Sequence, residues 1–238
     1  MNNKRIELFG DQIGAVEYVN HMGSDLTVVN SARVSFGKEN DTLNQKDRKL
    51  IKYLISNKHT STLEHNIITF KFTVPLFIRS QHHRHRTWSY NEISRRYTSV
   101  DMKFYETSSF RTQHASNRQA SSDQMINPML NSSYSPNGPE RASVAVKAHN
   151  NRSLNLYNSL LDSGICREQA RGVLPQNLYT EYYGTVNLNN LIKFIDLRSH
   201  HGAQWEIQKV AQACLDIANQ LFPEVITAYT ESKKEKSN

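Results

Sequence analysis

Across residues 41–57, the apolar residues Leu43, Leu50, Ile51 and Leu54 leave a mostly polar opposite face, the spacing of an amphipathic helix packed on a core. Upstream, residues 6–9 and 15–19 predict short strands separated by Gly10 and Gly14. Ser24 and Asp25 offer a cap for a helix through Ala32. Residues 66–74 are rich in β-branched and aromatic side chains and read as a strand. Pro75 ends that strand and suits the first turn of a helix running to about Arg84. The C-terminal half reads as helical. Leu154, Tyr157, Leu160 and Leu161 mark one helix, broken at Gly164, and a short one follows from Arg167 towards Leu174 and stops before Pro175. Asn187 caps another, with Leu191, Ile192, Phe194, Ile195 and Leu197 inside it. The last predicted helix carries Ile207, Val210, Ala211, Cys214, Ile217, Ala218 and Leu221 at a helical period. Strands early and helices throughout predict an α+β fold, a single domain over residues 1–238.

Composition changes this picture in two places. From Ser108 to Gly138 the chain turns to Ser, Asn, Gln and Pro, which predicts a polar loop or insertion at 108–138. It holds Arg111, Gln113, Asn117, Arg118 and Gln119, so composition alone leaves two readings, a lid over an anionic ligand or a solvated excursion. Residues 231–238, with Lys233, Lys234 and Lys236, read as a disordered basic tail. No apolar run approaches the roughly 20 residues that span a bilayer, and no apolar segment follows the N-terminal Lys4-Arg5. The expectation is a cytoplasmic protein with no membrane partner. Its net charge of +7 favours anionic ligands without distinguishing nucleic acid from phosphorylated small molecules.

Several chemistries are excluded. The glycines form no spaced triplet of a dinucleotide-binding turn, and no phosphate loop ends in Gly-Lys-Ser/Thr. Two cysteines are too few for a disulfide framework or a structural zinc site. Cys214 lies on an apolar helical stripe, and Cys166 has no partner base nearby in sequence. His82, His83 and His85 are spaced one, two and three apart on the predicted helix, which does not gather three ligands on one face, so no metal is expected. The richest segment runs from Gln81 to Tyr97, where Arg84, Arg86, Arg95 and Arg96 crowd together among hydroxyls and aromatics. Guanidinium forks match phosphate oxygens bidentately, and packing them so closely costs repulsion unless anions answer them. Arg167 and Arg171, four apart, share a helical face with Glu168 offset from it, and for Arg167 an ion pair is an open alternative. Arg198 sits at the end of an apolar helix, where a dipole partner and a ligand contact are both open.

Arg84-His85-Arg86, seven intervening residues and Ser94 resemble the signature of the flavin-dependent thymidylate synthases. Ser89-Tyr90-Asn91-Glu92 and Arg96-Tyr97 agree with it. Further stretches resemble the family in its order: residues 31–36, 61–65, 170–175, 177–180, Leu197-Arg198 and 203–206, so that the resemblance covers roughly residues 15–222. It implies a small, mostly antiparallel sheet with several helices, and a homotetramer whose active sites are shared between subunits. It implies reductive methylation of dUMP to dTMP, with FAD, NADPH and 5,10-methylenetetrahydrofolate, by a route that needs no enzyme thiol.

Residue by residue, the resemblance implies that Gln81, Arg84, Ser94, Arg95, Arg96, Arg171 and Arg198 bind dUMP. Arg198 is its catalytic arginine, polarising the uracil ring. It implies FAD contacts at Ser35, Ser61, Arg84, His85, Arg86, Glu92, Asn187, Asn189 and Lys193. Asn189 stands where some members have Arg, Lys193 where some have Asn, and Arg95 where some have Gly. The ligands all carry phosphate or carboxylate, which accounts for a basic protein with no nucleic-acid partner. A rival reading is a single-stranded nucleic-acid-binding module using residues 79–97, with Trp88, Tyr90 and Tyr97 stacking on bases.

Overall fold

The computed structural model describes residues 5–131 and 138–237. Its N-terminal hairpin pairs β1 (Arg5–Glu7) with β2 (Ala15–Met22). Then come α1 (Asp25–Arg33), α2 (Gln45–Ser56), β3 (Ile67–Pro75), α3 (Leu76–His82) and β4 (Ser89–Glu92). A peripheral region holds β5 (Phe110–Gln113), β6 (Ser121–Ile126), β7 (Met129–Leu130) and β8 (Glu140–Arg141). The chain continues through α4 (Ala142–Asp162), α5 (Arg167–Ala170), β9 (Tyr179–Asn187), α6 (Leu188–Arg198), α7 (Trp205–Leu221) and α8 (Pro223–Ser237).

The main sheet has the order β1-β2-β3-β9-β4 with antiparallel neighbours throughout. Alternation along β3 sends Ile68, Phe70, Phe72 and Val74 into the core, where they meet Tyr182 and Val186 of β9. Helix α7 closes that face with Ile207, Val210, Ala211, Cys214, Ile217 and Ala218, all buried at the expected helical spacing. Gly184 of β9 is held to its size by close approach: a Cβ there would lie 2.8 Å from the Phe72 ring and 3.2 Å from Trp88.

The capping residues act as their chemistry predicts. The Asn44 side chain accepts from the Lys46 and Asp47 N–H groups, and Asn187 accepts from the Asn190 N–H at 2.9 Å. Gly164, at φ +85, takes the left-handed turn after α4.

Three expectations are revised. The C-terminal half is not all helix, because β9 runs through it as an interior strand of the sheet; Tyr, Thr and Val side chains fill its alternating positions. Residues 108–138 are not simply a loop. Phe110 pairs with Ile126 and Arg111 with Met125 in a two-stranded hairpin, a polar sheet with little burial; residues 132–137 lie outside the described residues. The tail expected to be disordered at 231–238 is helical through Ser237, residue 238 lying outside the described residues. It is held to α2 and α6 by Lys52–Glu231 at 3.1 Å and Lys233–Asp196 at 2.5 Å, with Ser232 buried beneath.

Candidate active site

The arginine-rich segment is folded back on itself. Leu76 and Phe77 N–H groups donate to the carbonyls of Leu178 and Gln176, tying the start of α3 to the approach to β9. The Tyr90 hydroxyl donates to the carbonyls of His82 at 3.0 Å and His85 at 3.1 Å, closing β4 over the end of α3. These contacts, with the sheet register, divide the expected site residues into three groups.

The first surrounds Arg198 at the C-terminal end of α6. Its Nε donates to His85 Nε2 at 3.0 Å and its Nη2 to the Gln81 carbonyl at 3.1 Å. An arginine cannot accept, so His85 Nε2 carries the lone pair and the ring proton sits on Nδ1. Burial first, and the Arg198 charge second, lower the His85 pKa to about 4. Burial also lowers that of Arg198.

The second group lines a cavity of about 480 Å³ that includes Arg79, Glu92, Ser94, Arg95, Arg171 and Thr180. The Glu92 carboxylate accepts from the Thr180 hydroxyl at 2.7 Å and pairs with Arg79 at 3.3 Å. Arg95 donates to the Val100 carbonyl at 2.7 Å, and Arg96 lies 3.6 Å from Glu168.

The third group lies near the N-terminal end of α6. Ser61 sits on the turn Thr60–Leu63, which packs on α6, and Asn189 donates from Nδ2 to Glu64 Oε1 at 2.9 Å. Asn189 and Lys193 line a cavity of about 390 Å³ with Thr60 and Leu63. Ser35 sits on the exposed turn Val34–Phe36, anchored where Arg33 donates to the buried Asp47 carboxylate.

The groups are separated within one chain. Asn189 and Arg198 are nine residues apart on α6, about 14 Å at a helical rise of about 1.5 Å per residue. Glu92 pairs with Tyr182 and Ile67 with Asn187, so Glu92 and Asn187 lie five residues apart along β9, about 17 Å. Glu92, expected at the flavin, thus opens into the cavity of Ser94 and Arg171. Asn189 is 4% exposed with its amide given to Glu64, and the Asn187 side chain caps α6; both side chains are engaged in structure.

Three exposed guanidinium groups among the described residues are left unanswered by the protein's own carboxylates. Among the described residues, the side chains of Arg84, Arg86 and Arg171 meet no carboxylate and make no hydrogen bond, in a chain that has 22 Asp and Glu. Ser35, Ser61 and Lys193 are also exposed. A set of hydroxyl, ammonium and guanidinium donors without matching acceptors fits the pyrophosphate of a dinucleotide such as FAD.

The histidines part company. His82 is wholly buried, its Nδ1 2.8 Å from the Tyr182 hydroxyl, and burial lowers its pKa well below the usual range, with His85, His83 and Arg198 adding to the effect. His83 packs on Tyr90 with ring centroids 4.1 Å apart. Among the described residues no cluster of His, Cys, Asp and Glu could hold a metal ion. Of the aromatic side chains in the nucleic-acid reading, Trp88 is withdrawn from stacking at 6% exposed, packed against Phe70, Phe72 and His82, whereas Tyr97 is exposed. No helix among the described residues is long and apolar enough to cross a membrane.

One network went unread in the sequence. Glu206, at the start of α7, is 4% exposed and accepts from Arg111 at 2.6 Å, Tyr105 at 3.2 Å and Gln204 at 2.9 Å; Gln204 in turn accepts from Gln81. Its signal was a carboxylate one residue before the buried stripe of α7.

Fold and site together define an α+β protein with a five-stranded antiparallel sheet and several exposed guanidinium groups around the end of α3 and the approach to β9. Residues 17–224 match the family described as thymidylate synthase complementing protein. The flavin-dependent thymidylate synthase of Thermus thermophilus is 38% identical over 218 residues, covering 92% of this chain and 76% of its own. That of Thermotoga neapolitana is 38% identical over 216 residues, covering 91% and 90%. The crystal structure of the UMP/dUMP methylase PolB from Streptomyces cacaoi, bound with 5-Br dUMP, superposes with a TM-score of 0.75 at 33% identity, over 95% of this chain and 97% of PolB. The chain belongs to the flavin-dependent thymidylate synthase family.

Proposed function

We propose that the protein converts dUMP to dTMP by reductive methylation: dUMP, 5,10-methylenetetrahydrofolate, NADPH and a proton give dTMP, tetrahydrofolate and NADP⁺. The carrying observation is Arg198. A guanidinium has five N–H donors. Two are spent on His85 and Gln81, which fix the plane of the group, and three remain for a ligand. Methyl transfer needs an electron-rich uracil C5, and a preorganised cation beside the ring stabilises the negative charge that develops there.

In this reading Ser94, Arg95, Arg96 and Arg171 hold the 5′-phosphate, with Gln81 and Arg84 on the nucleotide. Ser35, Ser61, Arg84, Arg86 and Lys193 hold FAD, while Asn187 and Asn189 fix the start of α6 beneath it and His85 holds Arg198. The chemistry that bound FAD would supply is hydride donation, replenished from NADPH. A thiol route is poorly served: Cys214 is fully buried in α7, where burial pushes its pKa well up, and the exposed Cys166 does not line the phosphate cavity.

The same geometry supports our reading of a homotetramer with sites shared between subunits. One chain holds the three groups apart, and apolar side chains beside them are left exposed, Phe36 at 78% and Tyr97 at 80%. Sedimentation of the FAD-loaded protein as a tetramer would support this, and a monodisperse monomer that turns over would oppose it. The activity itself is tested by omission. Product chromatography should show dTMP only when dUMP, methylenetetrahydrofolate, NADPH and FAD are all supplied, with Cys166→Ser/Cys214→Ala still active. Formation of dTMP without FAD, or with dihydrofolate as the folate product, would contradict the proposal.

A further inference from the structure

We infer that Glu206 is a positioning residue that sets the direction of the Gln81 amide through Gln204. This rests on the reading of Gln81 as a dUMP contact. The logic is one of donors and acceptors. Paired with the Arg111 guanidinium, the Glu206 carboxylate only accepts hydrogen bonds. Its Oε1 takes Arg111 at 2.6 Å and Tyr105 at 3.2 Å, and its Oε2 takes Gln204 Nε2 at 2.9 Å. Gln204 must therefore face the carboxylate with its NH₂ and turn its carbonyl the other way. That carbonyl accepts from Gln81 Nε2.

The Gln81 amide is then fixed as well, its Oε1 and remaining N–H left for a ligand. Without the carboxylate, both amides could rotate by half a turn at little cost in shape. The same residue's backbone carbonyl holds Arg198 Nη2 at 3.1 Å. One position thus presents both an oriented amide and an oriented guanidinium. Arg111 comes from the β5–β6 hairpin, so the polar excursion contributes a residue to this support from outside the sheet.

Glu206→Gln tests the relay at constant size. With its carbonyl towards Arg111, the new amide would offer N–H to Gln204, which must rotate and in turn rotate Gln81. The expected result, by calorimetry with dUMP on the FAD-loaded protein, is affinity about tenfold weaker, the worth of one oriented hydrogen bond. FAD content and melting temperature should stay near those of the parent. In a Gln81→Met background the same substitution should cost nothing further, since the relay then has no amide to orient. If Glu206→Gln fails to fold, Gln204→Met interrupts the relay at a half-buried position and should give the same loss. Parent-like dUMP affinity in the folded Glu206→Gln or Gln204→Met variant, or an equal loss in the Gln81→Met background, would overturn the inference and leave the proposed function standing. A parent protein that holds FAD but takes up no dUMP would overturn both.

Discussion

Replacing Arg198 by alanine removes a cation that the structure fixes by both a neutral ring nitrogen and a backbone carbonyl. A unit charge 4 Å from a developing anion contributes about 4 kcal/mol at an effective dielectric constant near 20. Arg198 is only partly buried, and solvent screens part of that. Removal of a single donor aimed at developing charge costs about 2.7–4 kcal/mol in other enzymes. A working figure of about 3 kcal/mol corresponds to a rate loss of about 10²-fold. FAD should stay bound, because its proposed anchors at Ser35, Ser61, Arg86 and Lys193 are untouched. The assay is single-turnover dTMP formation with saturating dUMP and methylenetetrahydrofolate, alongside flavin content by absorbance. Arg198→Lys keeps the charge and loses the fork, so its rate should lie between those of alanine and parent. A folded, FAD-loaded Arg198→Ala protein with a parental rate would refute the reasoning.

Three further outcomes are expected. Arg171→Ala should raise the KM for dUMP by about 10- to 100-fold with a smaller change in kcat, the loss of a charged hydrogen bond to phosphate; an equal loss of affinity for deoxyuridine, which has no phosphate, would contradict that role. His82, His83 and His85 are held neutral by burial, and His85 titrates in the fold near 4 rather than at the unfolded value of 6.5. The unfolded chain therefore binds more protons between those values, and stability should be full above pH 6.5 and fall as pH drops towards 4; urea midpoints at pH 7, 5.5 and 4.5 measure it, and a flat or rising series on acidification would contradict it. Asp47→Ala breaks a buried carboxylate that holds Arg33, Asn40 and the Asn44 N–H, and should cost about 3–5 kcal/mol of stability while loosening the turn that carries Ser35; a loss below about 1 kcal/mol in urea denaturation would be inconsistent with that anchor.

Elements whose pattern is local were legible in the sequence. The helical stripe from Ile207 to Leu221, the Ser24 and Asn187 caps and the strand before Pro75 all follow from spacing and backbone chemistry. Strand β9 was missed because its meaning is not local. Its register is with β3, more than a hundred residues upstream, and helical segments flank it on both sides. The tail was misread for a similar reason: its Glu231 and Lys233 are matched by Lys52 and Asp196 on other elements. At the site, the arginine cluster led to the expectation of anion binding; among the described residues two of its guanidiniums, Arg84 and Arg86, are without partners, while Arg95 and Arg96 are engaged by Val100 and Glu168. The network through Glu206 could not be read from the chain. A glutamate beside a tryptophan at a helix start looks like a dipole partner until Tyr105, Arg111 and Gln204 are brought around it.

The most direct test of the central claim is the visible absorption spectrum of the FAD-loaded protein under anaerobic conditions, followed after NADPH and then after dUMP with methylenetetrahydrofolate. The account predicts flavin bands that bleach with NADPH and return in step with dTMP formation. A flavin that bleaches and stays reduced when both substrates are present, or a protein that takes up no flavin, would contradict it.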